Sequence, residues 1–316
     1  MAKFRDSVPD ASLVESVRAP RPDSTIPPPL SASPEPQALD RSIGDILSEL
    51  RSLTVDQVQK VLALQESKGI RFGEAAVALG LASKDDVLFA LSQQFHYPYA
   101  PEEKRHVSPE LVTLNEPFSA QAEAFRAMRS QVMMRVFGAP DGGSKALAVV
   151  SPQAGDGKTF FAANLAVALA QLGGRTILVD ANLRAGRQHD VFKLRNLSGL
   201  SGILSGRAES DVVRQVPGVP SLFVMPVGVT PPNPVELVER PAFGLLIREL
   251  QSKFDHVVVD SPAASVGADS AIIAARCGAA MVVARKDSSH ISKLQELTSS
   301  FAIGHVKVVG VVLNEH

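Results

Sequence analysis

The segment Ser151-Pro-Gln-Ala-Gly-Asp-Gly-Lys-Thr159 constrains this chain more than any other stretch. An apolar run, Ala146–Ser151, leads into it, and a strongly helical apolar pattern, Phe160–Leu172, follows at once. A glycine-bearing turn between a strand and a helix points backbone N–H groups at one spot, with the positive end of the helix behind them. Such a turn cradles phosphate. Gly155 and Gly157 let the N–H groups face inward, Lys158 reaches the β- and γ-phosphates, and the Thr159 hydroxyl holds magnesium. Asp156 and Phe160 fall within the same ligand-binding stretch. The usual first glycine of such a loop falls at Pro152, so the loop is a variant. The implied ligand is ATP with magnesium.

From Lys145 onward, apolar runs alternate with helical segments. The runs are Ala146–Ser151, Thr176–Asp180, Leu222–Pro226, His256–Asp260, Ala279–Ala284 and Val306–Leu313. They are Val-rich and continuous, as strands buried on both faces of a parallel sheet must be. The pattern predicts an α/β P-loop NTPase with a mostly parallel, doubly wound sheet. Ligands bind at the carboxyl ends of such strands, and two runs end in aspartate. Asp180 there can orient magnesium or take the proton of an attacking hydroxyl; a strand-end turn residue is the other reading. Asp260, in Val257-Val-Val-Asp260-Ser-Pro262, has the form of a Walker B carboxylate that holds the magnesium shell.

The first 40 residues carry eight prolines among Ser and charge, and predict a disordered arm. From Arg41 a helical period sets in and repeats at an offset of 29 residues: Gly44 matches Gly73, Leu50 matches Leu79, Thr54 matches Ser83, Val58 matches Val87 and Gln65 matches Gln94. Thr54 and Ser83 stand where helix N-caps belong. Two helix–turn–helix repeats predict a small all-α domain over 41–100. A Pro-rich linker, 101–117, follows, and then the P-loop domain, 118–316, which opens with a helix from Ala120 to Phe137.

A net charge of −1 excludes a surface built to coat a nucleic acid polymer. The single cysteine, Cys277, excludes an internal disulfide. The most apolar window, Ser265 to Ala284, is broken by Asp269 and Arg276 and reads as helix plus strand. These features predict a cytoplasmic chain.

The phosphate loop, the hydrophobic-Asp180-x-Asn182-x-Arg184 segment and the Asp260–Pro262 segment together resemble the bacterial tyrosine kinases of polysaccharide export (BY-kinases), within the MinD/ParA-like class. The resemblance runs from about Arg41 to the end. It implies an ATP-dependent protein-tyrosine autokinase that regulates exopolysaccharide polymerisation, export and chain length. Catalysis would rest on Lys158, Asp180 and Asp260, and magnesium on Thr159, Asp180 and Asp260. Asn182 and Arg184 would join the cofactor site. The resemblance further implies a membrane-embedded chain-length regulator as partner, which would recruit the chain to the inner membrane. Glu123-Ala-Phe-Arg126-Ala-Met-Arg129 resembles the family's Glu-x-x-Arg-x-x-Arg element, which joins subunits into a homo-oligomer; a solvated helix face with i,i+3 charge pairs fits the same residues. Pro232-Asn-Pro-Val-Glu-Leu237 resembles another family landmark, a turn capping a helix. The N-terminal repeat resembles the N-terminal domain of type II secretion ATPases, which implies cyclic di-GMP as a ligand; a plain docking module is the alternative.

Four departures stand against these patterns. Asn182 replaces the second aspartate of the family's Asp-x-Asp pair. No tyrosine cluster occurs near the last residues, and the only tyrosines are Tyr97 and Tyr99. Gln153 stands where MinD- and ParA-type ATPases carry a lysine. In the first helical repeat, Ser42 and Arg51 replace the arginine and glycine of the second, Arg71 and Gly80. The missing tail and Asn182 also fit a second function: an ATP-binding and hydrolysing assembly switch for the polysaccharide co-polymerase, with little kinase activity.

Overall fold

The computed structural model describes residues 41–94, 107–138, 146–207 and 211–315. The N-terminal arm, Tyr97 and Tyr99 lie outside them.

Residues 41–94 form four helices, α1 (Ile43–Leu50), α2 (Val55–Lys68), α3 (Phe72–Ala78) and α4 (Lys84–Gln94). Each begins 29 residues from its counterpart, as the repeat predicts. Ser42 and Thr54 close capping boxes with Asp45 and Gln57, and the Ser83 hydroxyl accepts from the Asp86 N–H at 3.1 Å. Leu47, Val61, Ala75, Ala76 and Ala90 form a small core. The two positions where the first repeat departs have structural uses here. Ser42 is the cap of α1, and Arg51 donates through Nε to buried Asp86 at 2.7 Å, tying the first repeat to the second.

The rest is a three-layer α/β/α unit. Seven strands line up in the order β3-β4-β2-β5-β1-β6-β7. They are β1 (Ala146–Val150), β2 (Thr176–Asp180), β3 (Arg214–Val216), β4 (Val219–Met225), β5 (His256–Asp260), β6 (Ala279–Arg285) and β7 (Lys307–Asn314). All pairings are parallel except β3 with β4. Side chains alternate between two cores, as a period of two requires. Ala146, Ala148, Val150, Ile177, Val179, Val257 and Val259 enter one core; Leu147, Val149, Leu178 and Val258 enter the other. The first core is covered by α9 (Leu200–Leu204), α10 (Pro234–Glu239), α11 (Pro241–Lys253), α12 (Asp269–Cys277) and α13 (Ile291–Ile303). On the second lie α5 (Val112–Asn115), α6 (Ala120–Val132), α7 (Lys158–Ala170) and α8 (Gln188–Val191). The Pro-Asn-Pro segment caps a helix as expected: α10 follows Asn233 with Pro234 in its first turn.

One expectation is corrected. The linker does not extend to residue 117. Val107, Leu111, Thr113, Leu114 and Asn115 are buried, and the Asn164 side chain of α7 accepts from Thr113 N and Oγ1 and donates to Glu110 O. Pro109 and Glu116 are exposed while Pro117 and the few apolar residues are buried, a pattern too short to show a period. Within the mostly parallel sheet that was expected, the short edge strand β3 returns antiparallel along β4, at a segment no apolar run marked. The helix from Ala120 is α-helical to Val132 and continues as a π turn, Met133–Phe137.

Candidate active site

The carboxyl ends of β1, β2 and β5 meet because β5 lies between the other two. The β2–β5 register sets Asp180 directly opposite Asp260. Both carboxylates are fully buried. Burial is the main force raising the Asp180 carboxyl well above the ordinary range, and the charge of Asp260 adds to it; backbone N–H groups of Gln188, Asn182 and Arg187 oppose. Burial likewise raises Asp260, against hydrogen bonds from Thr159 and Gln188 and the charges of Lys158 and Arg187. Lys158 is buried at the start of α7, and desolvation lowers its ammonium while Asp260 and Asp156 pull it back up. Burial thus pushes both carboxyls and the Lys158 ammonium toward their neutral forms beside the phosphate loop.

The loop has the expected form. Gly155 and Gly157 adopt left-handed backbone, φ +86° and +96°, which side chains other than glycine rarely tolerate. A Cβ at Gly157 would also fall 2.2 Å from Asn314 Nδ2. The α7 N–H groups at Lys158, Thr159 and Phe160 lie in the first turn, where a helix leaves its donors unpaired. The Phe160 ring turns away and packs edge-on against Phe125 of α6 at 5.8 Å. Asp156 serves the shape of the loop: its carboxylate accepts from Gln153 N at 2.8 Å and from the Ser289 hydroxyl at 2.9 Å. Asn314, at the end of β7, donates to Asp156 O at 3.1 Å.

Asn182 takes a local partner and Arg184 a distant one. The Asn182 amide accepts from Ala185 N at 3.2 Å and donates to Ala185 O at 3.0 Å, closing a turn that an acceptor-only aspartate could not close in this way. Arg184 makes a two-pronged contact with buried Asp269 of α12, at 3.3 and 3.1 Å. On α6, Arg126 donates to Glu123 at 2.6 Å and to Pro117 O, and Arg129 donates to Ala168 O at 3.0 Å. Glu123 itself stays largely in solvent.

Sequence reasoning passed over Gln188, Asp269, Ser289 and Asn314. Asn314 had a signal, since it ends an apolar run as Asp180 and Asp260 do, and the strand-end rule applies to it equally. Gln188 had none.

Magnesium fits these residues. Asp260 Oδ1 is buried with no hydrogen-bond partner, as is Gln188 Oε1, beside the Thr159 side chain. A nucleotide-bound magnesium keeps several waters and needs only one or two protein carboxylates, so the lack of a three-residue ligand cluster among the described residues does not count against it.

Residues 147–316 match the CobQ/CobB/MinD/ParA nucleotide-binding domain, CbiA. The chain belongs to that family. Within it, the relatives are tyrosine kinases of bacteria. The putative tyrosine-protein kinase CapB of Staphylococcus aureus is 31% identical over 215 residues, 68% of this chain and 92% of CapB. The tyrosine-protein kinase wzc of Salmonella typhimurium (strain LT2) is 32% identical over 211 residues, 67% of this chain but 29% of that protein, so the chain spans under a third of that relative's length. Among solved structures, the chimerical protein CapA2B2 matches with a TM-score of 0.61 at 29% identity, covering 72% of this chain and 97% of its own. The kinase domain of the Escherichia coli tyrosine kinase ETK matches with a TM-score of 0.60 at 27% identity, covering 67% and 82%. Bacterial tyrosine kinases are thus among the proteins to which about two thirds of this chain is similar.

Proposed function

We propose that this chain is an ATP-dependent protein-tyrosine autokinase that regulates exopolysaccharide polymerisation, export and chain length. One observation carries the reading: two adjoining buried carboxylates, Asp180 and Asp260, the second of them beside the lysine and threonine of a phosphate loop, in a chain related to tyrosine kinases. Lys158 and the first-turn N–H groups of α7 would hold the β- and γ-phosphates and offset charge that develops between them. Thr159 and Asp260 would hold the magnesium, which would supply positive charge against the negative charge of the phosphates. Asp180, its carboxyl raised by burial, suits a general base: it would take the phenolic proton as the tyrosine oxygen bonds to the γ-phosphorus and the bond to the β-phosphate oxygen breaks, releasing ADP. Gly155 and Gly157 shape the cradle, Asp156 holds it, and Asn182 and Arg184 brace the segment after β2. Tyr97 or Tyr99, or a tyrosine of a partner, would accept the phosphate.

The partner proposed is a membrane-embedded chain-length regulator that draws a cytoplasmic chain to the inner membrane. No helix among the described residues is long and apolar enough to cross a membrane. Glu123, Arg126 and Arg129 are proposed as the contact between copies. For the helical unit, saturable binding of cyclic di-GMP to the full chain at micromolar concentration would support a nucleotide role, and its lack would leave a docking module.

The kinase reading is tested by incubating the chain with magnesium and ATP and mapping phosphorylated residues by mass spectrometry. Phosphotyrosine is expected, and Lys158→Met should reduce its formation about 10²–10³-fold. ATP turnover without phosphotyrosine would overturn the kinase in favour of the assembly switch.

A further inference from the structure

Among the described residues, Gln188 donates hydrogen bonds to both buried carboxylates. Its backbone N–H donates to Asp180 Oδ2 at 2.9 Å, and its side-chain Nε2 donates to Asp260 Oδ2 at 2.9 Å and to Thr159 O at 3.1 Å. The side chain is fully buried. Its orientation is fixed by chemistry, because both partners of the amide nitrogen are acceptors and a flipped amide would face oxygen with oxygen. Oε1 then remains buried with no donor on the protein, and so does Asp260 Oδ1. The Thr159 contact extends the brace to the phosphate loop itself.

We infer that Gln188 is a positioning residue for the metal–phosphate centre: it engages Asp260 Oδ2 so that Oδ1 is presented to the magnesium, and it holds Asp260 at a set distance from Asp180 and from the phosphate loop. Two like charges side by side repel, and a strand end alone does not fix a carboxylate's rotation. The amide supplies that constraint with a neutral donor, which adds no charge to the pair. Gln188 Oε1 is left as an acceptor for the hydration shell of the metal. Partners of this kind, one step out from a metal, commonly set affinity by 10–100-fold. Gly186 makes room for the arrangement, since a Cβ there would stand 2.7 Å from Asp180 Oδ2 and 2.2 Å from Val227 Cγ2.

This inference rests on the magnesium–nucleotide reading of the site, and one titration separates the two. Binding of a fluorescent ADP to the full chain is followed against magnesium concentration, and again with magnesium chelated. For the unaltered chain, magnesium should strengthen binding; if it does not, the functional reading fails and the inference with it. Gln188→Met keeps length and removes the donor. It should raise the half-saturating magnesium concentration about 10-fold, leave chelated-nucleotide affinity within about 2-fold, and recover at high magnesium. In an Asp260→Asn background the same change should have no further effect, as expected of a residue that acts through Asp260. An unchanged magnesium dependence in Gln188→Met, an equal loss of chelated-nucleotide binding, or full additivity with Asp260→Asn would each overturn the inference while leaving the functional reading in place.

Discussion

A carboxyl raised above its ordinary value is a statement about pH. Asp180 and Asp260 are both raised from 3.8, so the folded, metal-free chain keeps protons that the unfolded chain has already released. Their contribution to stability is complete below the unfolded value and is lost as pH rises through the raised folded values. Magnesium needs the deprotonated forms, so its binding expels protons. The gain in melting temperature on adding magnesium and ADP should therefore be larger at pH about 8 than at about 5.5, and calorimetry in buffers of different ionisation enthalpy should detect proton release. An equal gain at both values would contradict this account. At the same scale, Gly186→Ala pushes a methyl into Asp180 and Val227. It should weaken magnesium-dependent nucleotide binding about 10–100-fold, measured by the same titration.

Helix α7 is the element that joins recognition to the fold. Its first turn forms the phosphate cradle, and nearly every residue after that is buried between the sheet and the segment 107–117. Asn164 is the polar exception inside this contact, fully buried and bonded to Thr113, Glu110 and Phe160. Asn164→Leu should leave the Thr113 N–H without a partner and cost about 2–3 kcal/mol in urea unfolding. A change under about 0.5 kcal/mol would show that water replaces the amide. In the helical unit, Asp86 plays a comparable part: one carboxylate oxygen accepts from Arg51, Ser83 N and the Ser83 hydroxyl. Asp86 is held below the ordinary carboxylate range by Arg51 and Ser83, although burial opposes them.

For the whole molecule, the proposed contact between copies sits on a helix whose arginines already have work inside the chain. Arg129 anchors to Ala168 O and Arg126 to Pro117 O, so replacing either would disturb the fold as well as assembly. Glu123 is the clean probe, being exposed and paired only across one helical turn. Glu123→Ala should shift the light-scattering mass toward that of a single chain, with melting temperature changed by little, because such surface pairs contribute about 0–1 kcal/mol. An unchanged mass would remove this face from the proposed assembly.

The sequence by itself determined what local pattern encodes: the glycines and lysine of the loop, the valine runs, the two strand-end aspartates and the helical repeat with its caps. Each follows from neighbours within a few residues, through backbone sterics, side-chain period or capping. Only the tertiary structure decided that Gln188 braces Asp260 across 72 residues, that Ser289 and Asn314 hold the loop from 133 and 158 residues away, and that Arg184 pairs with Asp269. It also decided that 107–117 is core-packed, not linker. These contacts depend on which strands become neighbours, and β1 lies beside β5 and β6, not β2. No periodicity along the chain records that order, because it is set by how helices and sheet bury their apolar faces together.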